Sequence, residues 1–204
     1  MDAPSIRKVT QADIAILARR LAPSFASQPL TRWLLGKDPT AMDKGERVLE
    51  LDFLNAIRYG LTYTTEDFRG AALWNPPDRS VSAWENITWF LKLLRIAGVS
   101  LNLPAQLAAF WRFERLFPDT PNYYLSLLAV GPDAQGKGFG SALLGPVLAM
   151  CDTQGVMAYT VTDWEPNLRF YGKMGFRVRD IIPIPKAGVT AWTLSREPGA
   201  RNPG

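Results

Sequence analysis

The spacing of apolar positions predicts helices in the first third of the chain. Four apolar residues recur at intervals of three and four, which places them on one face of a helix: Ile14, Leu17, Ala18 and Leu21. Thr10 is a suitable cap before this helix, and Pro23 is expected to end or kink it. The pattern also predicts a short apolar element at residues 30–35 and a long helix at residues 42–58.

Runs of β-branched and aromatic residues predict strands farther along. Residues 61–65 and 70–75 flank a polar turn, which is typical of a β-hairpin. Residues 123–130 form an almost unbroken apolar run and predict a central strand that is buried on both faces. Between these strands, residues 80–97 and 104–117 have the spacing of two amphipathic helices.

Helices and strands alternate after the central strand. The predicted elements are a helix at residues 138–153, a strand at 157–162, a short helix at 167–174, and strands at 176–184 and 189–195. This order predicts an α/β protein whose sheet is mostly antiparallel at its beginning. It also predicts at least one right-handed strand–helix–strand crossover.

The residue types present exclude several kinds of chemistry. The sequence contains no His, which excludes His-dependent nucleophilic catalysis, His-ligated zinc and an imidazole general base. Cys151 is the one cysteine, so neither an intramolecular disulfide nor a Cys-rich metal site can form. We therefore expect no bound metal, and we interpret Cys151 as a small buried apolar side chain in a reducing compartment.

Length and charge limit the organisation and the partners. The 204 residues have the size of one domain; we assign residues 1–196 to it and expect residues 197–204 to be a disordered tail. The net charge is only +4, without a long run of like charges, so nucleic acid is not an expected partner. Because neither a signal peptide nor an uninterrupted apolar span is visible, we expect a cytoplasmic protein that does not bind membranes.

A glycine-rich loop lies between the central strand and the helix that follows it. Residues 135–140 read Gln-Gly-Lys-Gly-Phe-Gly. The three glycines leave backbone N–H groups accessible, and the helix N-terminus adds positive potential, so the loop suits a phosphate or pyrophosphate. Lys137 adds a formal charge nearby. The same residues also fit a helix entrance without a ligand, and their spacing matches neither a Walker loop nor a dinucleotide-binding fingerprint.

Two sequence blocks together resemble the GCN5-related N-acetyltransferases (GNAT). Residues 135–140 match that family's Q/R-x-x-G-x-G/A loop, which follows a strand ending in Leu-Ala-Val. Residues 167–176 resemble its Asn…Phe-Tyr-x-x-x-Gly-Phe motif, one strand and one helix later. Residues 70–77 and 121–126 resemble the branch of the family that includes puromycin acetyltransferase, and the resemblance covers about residues 61–198.

The resemblance implies a fold and a cosubstrate. The fold is α/β of the GNAT type, with a mixed, mostly antiparallel central sheet flanked by helices and a helical insertion at about residues 80–118 before the central strand. The cosubstrate is acetyl-CoA, held by the strand end, the loop and the second block. The implied binding residues are Leu128, Ala129, Val130, Gln135, Gly136, Lys137, Gly138, Phe139, Gly140, Ser141, Asn167 and Tyr171.

Two residues of the second block have alternative roles. By resemblance Tyr171 is catalytic, because a phenol can protonate or stabilise the sulfur that leaves when an amine attacks a thioester. Its alternative role is aromatic packing beside Phe170 and Phe176. By resemblance Asn167 binds the pantetheine arm or holds the separated strands; its alternative role is to cap the helix that carries Tyr171, and the two are compatible.

The sequence departs from its relatives where they carry proton acceptors. Related sequences often have a His before the central strand and a Glu in the next strand, whereas this chain has Asn122 and Val161. Either the base lies elsewhere, with Asp163, Glu114 and Tyr124 (through water) as candidates, or the acceptor binds already deprotonated, or catalysis has been lost. From the sequence we expect no single strong general base.

The sequence therefore predicts an N-acetyltransferase that moves an acetyl group to the primary amine of a small molecule by direct transfer in a ternary complex. A non-catalytic acyl-CoA-binding module and an acyltransferase with another donor or acceptor are the alternatives. We expect a monomer or homodimer. Aromatic residues of the N-terminal helices and the insertion either line the acceptor pocket or only pack: Trp33, Trp84, Trp89, Phe90 and Trp111.

Overall fold

Seven strands and seven α-helices make up the described part of the chain. The computed structural model describes residues 4–36, 40–78, 83–98 and 103–200, apart from the side chains of residues 83–86 and 114. The strands are β1 (Ile6–Lys8), β2 (Thr62–Thr65), β3 (Gly70–Asn75), β4 (Asn122–Val130), β5 (Met157–Thr162), β6 (Arg177–Ile184) and β7 (Val189–Arg196). The helices are α1 (Ile14–Ala26), α2 (Pro29–Leu35), α3 (Ala41–Ala56), α4 (Ala83–Ala97), α5 (Leu103–Leu116), α6 (Phe139–Gln154) and α7 (Pro166–Lys173).

The strands form one sheet in the order β1-β2-β3-β4-β5-β7-β6. β4 and β5 are parallel and are connected through α6, whereas every other neighbouring pair is antiparallel. The helices α4 and α5 form an insertion between β3 and β4. The predicted fold class is therefore confirmed: a mixed, mostly antiparallel sheet, flanking helices and a helical insertion before the central strand. None of the described helices combines the length and the apolar character that crossing a membrane requires.

The sheet is covered on both faces, and β3 shows how. Ala71 and Leu73 pack with side chains of α1 and α3 on one face. Ala72 and Trp74 pack with side chains of α6 and α7 on the other face. All four side chains are fully buried. Because burial of apolar surface contributes about 25 cal/mol per Å², this double burial stabilises the helix–sheet–helix layers and explains the continuous apolar run in β3.

One extra residue in β4 changes the faces that its side chains occupy. Leu73 pairs with Leu127 and Trp74 pairs with Leu125, so Ser126 has no counterpart on β3 and forms a β-bulge. Leu125 packs in the α6 layer, whereas Leu127 packs in the layer of α1 and α3. A bulge of this kind bends the strand and increases its twist. The second half of β4 therefore stays paired with β3 but is not paired with β5.

The burial predicted for the central strand is wrong in its second half. Ser126 is exposed, and Leu127 and Leu128 are only partly buried. The physical reason is the loss of the β5 neighbour after the bulge, which opens one edge of the strand.

The sequence pattern also missed β1, because three residues are too few to show alternation. β1 pairs in antiparallel register with β2.

Pro23 does not end α1, so of the two effects predicted for it, ending or kinking the helix, the first is wrong. The helix continues to Ala26 with the proline inside it. Proline has no N–H, so the carbonyl of Arg19 receives no helical hydrogen bond from residue 23. Both Arg19 and Pro23 are exposed. On the opposite side, Leu21 and Ala22 are buried in the core shared with α3, and this packing holds the helix together.

The turn after β7 is hydrogen-bonded to α6. Arg196 donates to both carboxylate oxygens of Asp152, at 2.7 and 3.0 Å, and the N–H of Gly199 donates to the same carboxylate at 2.7 Å. The hydrogen bond from Arg196 is the main cause of the lowered pKa of Asp152. Residues 197–200 of the predicted disordered tail take part in this turn, and residues 201–204 lie outside the described residues.

Asp13 fastens the first strand to the first helix. Its carboxylate accepts two hydrogen bonds from Arg7, at 2.7 and 3.0 Å, and two from Thr10, from the backbone N–H and the hydroxyl, each at 2.8 Å. The bond from Arg7 contributes most to holding the pKa of Asp13 well below its usual range.

We expect Asp13→Asn to lower the free energy of unfolding at pH 7 by on the order of 2 kcal/mol, because charge-assisted bonds to Arg7 and Thr10 are lost. A carboxyl with a lowered native pKa stabilises above its unfolded pKa of 3.8, and the contribution disappears as pH falls through the native value. The difference from wild type should therefore shrink below about pH 4. Urea denaturation at pH 7 and below pH 4 measures the free energy of unfolding of each protein. Asp43→Asn, in the exposed first turn of α3, is the control, and equal losses in both variants would contradict the prediction.

Candidate active site

A cleft opens where β4 and β5 separate. The two strands are paired from Asn122 to Leu125 on β4 and from Met157 to Thr160 on β5, and not beyond. Along residues 126–130 the β4 backbone edge that would face β5 therefore has no strand partner. A cavity of about 1440 Å³ lies at this separation and extends to α2, α3 and the insertion. Unpaired backbone N–H and C=O groups at the edge can pair with an amide-containing ligand.

The glycine-rich loop forms one wall of the cleft. Gly136 and Gly138 have φ values of +73° and +83°, which favour glycine, and a Cβ added at either residue would meet no atom within 4 Å. α6 begins directly after Gly138, and its first helical bond runs from the Ala142 N–H to the Gly138 carbonyl. The N–H groups of residues 139–141 therefore have no partner within the helix. This open loop at the N-terminus of a 16-residue helix fits a phosphate group.

Gly140 has a different function from the other two glycines of the loop. Its φ angle is ordinary, but a Cβ at this position would lie 3.1 Å from the ring of Phe170 on α7. Such a distance is too short for normal van der Waals contact, so glycine lets the first turn of α6 pack directly on α7.

Eleven of the twelve predicted acetyl-CoA-binding residues line this cleft. They come together from the strand end, the loop and α7: Leu128, Ala129, Val130, Gln135, Gly136, Gly138, Phe139, Gly140, Ser141, Asn167 and Tyr171. Lys137 is the residue that does not line it; its ammonium donates to the carbonyl of Asp133 at 2.7 Å. The amide of Gln135 donates to the carbonyl of Val130 at 3.2 Å and so ties the loop back to β4.

Asn167 lies inside α7 and is not its cap. The helix begins at Pro166, and Glu165 occupies the capping position, so the capping alternative is wrong. The Asn167 amide instead donates to the hydroxyl of Thr162 at 3.1 Å. This bond holds α7 against the end of β5, beside the separation of the strands.

Tyr171 combines packing with a place in the cleft wall. Its ring centroid lies 5.2 Å from that of Phe170 and 5.4 Å from that of Phe176. The side chain is buried and still lines the cleft. Burial raises the pKa of Tyr171 to about 12, against an opposing hydrogen bond with Thr160. The phenol therefore keeps its proton at neutral pH and can act as a hydrogen-bond donor.

The two positions at which relatives carry proton acceptors both line the cleft. Asn122 is buried, its amide donates to the Thr120 carbonyl at 2.9 Å, and its Oδ1 has no partner among the described residues. Val161 is apolar and partly buried. Neither side chain accepts a proton at neutral pH, so neither position supplies a general base.

Asp163 supplies a carboxyl group directly after β5. It lines the cleft and accepts a hydrogen bond from the Leu30 N–H of α2. Burial raises the pKa of Asp163, against opposing hydrogen bonds from backbone N–H groups.

Of the other candidates for a general base, Tyr124 lines the cleft and packs edge-on against Phe117, with ring centroids 4.9 Å apart. The side chain of Glu114 lies outside the described residues.

A second cleft carboxyl, Asp52 on α3, was missed by the sequence analysis. It accepts a hydrogen bond from the indole N–H of Trp89 on α4 at 3.0 Å. Burial raises the pKa of Asp52 to about 7, and the bond from Trp89 only partly offsets this effect. The sequence did contain a signal that Asp52 faces the interior. It lies four residues after Val48 and three after Leu49, on the apolar face of α3.

Aromatic side chains form much of the wall near Asp52. Of the predicted aromatic residues, Trp33, Trp89 and Phe90 line the cleft, together with Phe110 and Phe113 of the insertion. Trp111 points elsewhere and is 56% exposed, and the side chain of Trp84 lies outside the described residues. In the described ranges no three His, Cys, Asp or Glu side chains are grouped closely enough to hold a metal ion.

Comparisons with known proteins identify the family of this chain. The sequence model of the acetyltransferase (GNAT) family matches residues 62–176. The chain is also 24% identical over 213 residues to an uncharacterized N-acetyltransferase of Schizosaccharomyces pombe, an alignment that covers 94% of this chain and 83% of the relative.

Solved structures share the fold. A protein of Corynebacterium glutamicum, described as histone acetyltransferase HPA2 and related acetyltransferase, superposes with a TM-score of 0.72 at 22% identity, covering 97% of this chain and 98% of that one. Arylalkylamine N-acetyltransferase 2 of Aedes aegypti gives a TM-score of 0.62 at 15% identity, covering 96% and 99%.

The family match includes the two separated strands, the glycine-rich loop and α7, which are the elements that build the cleft. At the identities above, the structural neighbours establish the shared fold, and the branch that resembles puromycin acetyltransferase stays a prediction. The chain belongs to the acetyltransferase (GNAT) family, and the protein is an N-acetyltransferase.

Proposed function

We propose that the protein transfers the acetyl group of acetyl-CoA to the primary amine of a small molecule, directly and within a ternary complex. The observation that carries the proposal is one continuous cleft, whose wall includes the open β4 edge and the glycine-rich loop together with aromatic and carboxyl side chains. We assign the reaction to the cytoplasm, a reducing compartment, because the one cysteine of the sequence is unpaired.

Acetyl-CoA, the donor, would be held mainly by backbone groups. The free N–H groups of residues 139–141, with the helix dipole behind them, would hold the phosphates. The open edge of β4 at residues 126–130 would pair with the amides of the pantetheine arm. Asn167 would act at the same place, by keeping α7 fastened to Thr162 on β5. Acetyl-CoA supplies an acetyl group activated as a thioester.

Direct transfer is favoured because the cysteine is badly placed to form an acyl-enzyme. Cys151 is fully buried in the core beneath α6 and does not line the cleft. Burial raises the pKa of its thiol to about 12, so the reactive thiolate is not formed at neutral pH. The acceptor amine itself is therefore the nucleophile in our proposal.

Tyr171 would stabilise the sulfur as negative charge develops on it. A phenol with a pKa of about 12 is a weaker acid than a thiol, whose ordinary pKa is about 8.5. Complete proton transfer from Tyr171 to the sulfur is therefore unfavourable, whereas a strong hydrogen bond to it is favourable. We assign Tyr171 the role of hydrogen-bond donor, with proton delivery following from solvent.

Asp163 is the group to which we assign uptake of the amine proton. Its raised pKa makes it a better base than an ordinary carboxylate, and it follows β5 directly, where the strands separate. This assignment replaces the sequence-based expectation of no strong base, which was made without knowing that Asp163 lies buried in the cleft wall.

We expect Gly138→Asp to raise the Kd for acetyl-CoA at least tenfold, because it adds a negative charge and a side chain where the phosphates would lie. Isothermal titration calorimetry measures the Kd, and circular dichroism checks the fold. Gly188→Asp is the matched control: it adds the same charge at a similarly positive φ, with nothing within 4 Å, and it does not line the cleft. A change of twofold or less in Gly138→Asp would count against the loop as a phosphate site.

We expect Tyr171→Phe to lower kcat by a factor of about 10²–10⁴ with little change in the affinity for acetyl-CoA. The ring contacts with Phe170 and Phe176 are retained, so only the hydroxyl is lost. Release of the CoA thiol is measured with a panel of amines. The control is Tyr123→Phe, whose hydroxyl bonds Gln154 outside the cleft. Full activity of Tyr171→Phe would mean that Tyr171 only packs. If the wild-type protein binds acetyl-CoA but releases no thiol with any amine, the non-catalytic alternative is favoured.

We expect kcat at saturating amine to rise with pH through an inflection that lies above the ordinary pKa of a carboxyl group, because burial raises the pKa of Asp163. The inflection should keep its position when an alkyl amine with a pKa near 10 is replaced by a less basic amine, because it belongs to Asp163. Asp163→Asn should abolish it, and Asp119→Asn, which alters an exposed cleft carboxyl, is the control. An inflection that follows the pKa of the amine would instead mean that the acceptor binds already deprotonated.

A further inference from the structure

Asp52 occupies an unusual environment for a carboxyl group that has no part in the chemistry assigned above. It lies on α3 in the cleft wall, and its bond from Trp89 connects α3 to α4 of the insertion. The ring of Trp89 is in direct contact with it, and Trp33, Phe90 and Phe110 line the same cleft. A carboxylate in such surroundings is costly unless a positive charge compensates it.

In the described part of the chain, no cation pairs with Asp52. On its own helix, Arg58 is exposed and donates to the Asn55 carbonyl at 3.0 Å, with its guanidinium 5.2 Å from the ring of Tyr59. On α4, Lys92 is exposed to solvent. The remaining charged side chains of the cleft wall are Asp119, Asp163 and Lys173.

We propose that Asp52 is the binding site for a positively charged nitrogen of the acceptor other than the amine that is acetylated, and that the acceptor has an aromatic or bulky apolar body. This inference rests on the proposed function, because it assigns the acceptor of that same cleft. The cation supplies the missing counter-charge, and the aromatic wall covers the apolar body. The indole N–H of Trp89 holds the carboxylate in position for this contact.

The titration of Asp52 gives the proposal a measurable signature. With a pKa of about 7, part of the Asp52 population is protonated and uncharged at neutral pH in the free protein. A bound cation favours the carboxylate, so binding releases a proton. An alkyl amine has a pKa near 10 and remains a cation throughout the range below pH 8. Its affinity should therefore fall as pH decreases below about 7, although the ligand itself does not change.

The test compares 2-phenylethylamine with its uncharged analogue 2-phenylethanol by isothermal titration calorimetry in the presence of CoA. In the wild-type protein we expect the amine to bind at least about tenfold more tightly than the alcohol at pH 7.5. Asp52→Asn should reduce this ratio to about one, since its Oδ1 still accepts the Trp89 bond while the charge is lost. Asp43→Asn, which removes an exposed carboxylate from the same helix, should keep the wild-type ratio.

A pH series on the wild-type protein and on Asp163→Asn keeps the test decisive even if Asp52→Asn does not fold, because the second protein lacks the other carboxyl group with a raised pKa. The affinity for the amine should weaken by nearly tenfold per pH unit well below pH 7 and level off above it, whereas that for the alcohol should be flat. Equal affinities for amine and alcohol in the wild type, or a ratio unchanged by Asp52→Asn, would overturn the inference. If acetyl transfer to amines persists in that case, the proposed function stands and only the role of Asp52 fails.

Discussion

Parallel pairing between β4 and β5 ends after four residues of each strand, and the rest of the site depends on this interruption. The bulge at Ser126 is its structural cause, because one additional residue turns β4 and leaves its backbone edge unpaired. In a closed sheet those groups would be satisfied by a neighbouring strand and the cleft would not exist. The sheet therefore lacks several ladder hydrogen bonds, which lowers its stability. The same interruption leaves backbone groups that can pair with a ligand.

Two carboxyl groups connect elements around the cleft, in addition to apolar contacts. Asp163 accepts a bond from α2, and Asp52 accepts one from α4, so each carboxyl both holds a helix at the cleft and faces the cleft itself. Their raised pKa values follow from the burial that this double role requires. Packing and chemistry are therefore not separate properties of these two side chains. A substitution at either position acts on the helix arrangement and on the charge of the cleft at the same time.

The sequence predicted the elements of the fold well because most of them carry a long periodic pattern. It failed where the deciding contact is distant in the chain. β1 is defined by its pairing with β2, the continuity of α1 through Pro23 by burial against α3, and the bulge at Ser126 by the register with β3. In the site, the glycine-rich loop was visible as a motif and the position of Asp52 on the apolar face of α3 was a usable signal, whereas the bond from Trp89 to Asp52 depends on α4 and is not visible in the local pattern.

The contact between Gly140 and Phe170 has a consequence for the kind of donor that the cleft accepts. Because the first turn of α6 packs directly on α7, the glycine-rich loop and the phenol of Tyr171 are held at a set separation. In the proposed binding mode, a donor held at both places has to span that separation. A carrier with the correct phosphate group but a shorter arm would then bind without bringing its reactive end to the phenol.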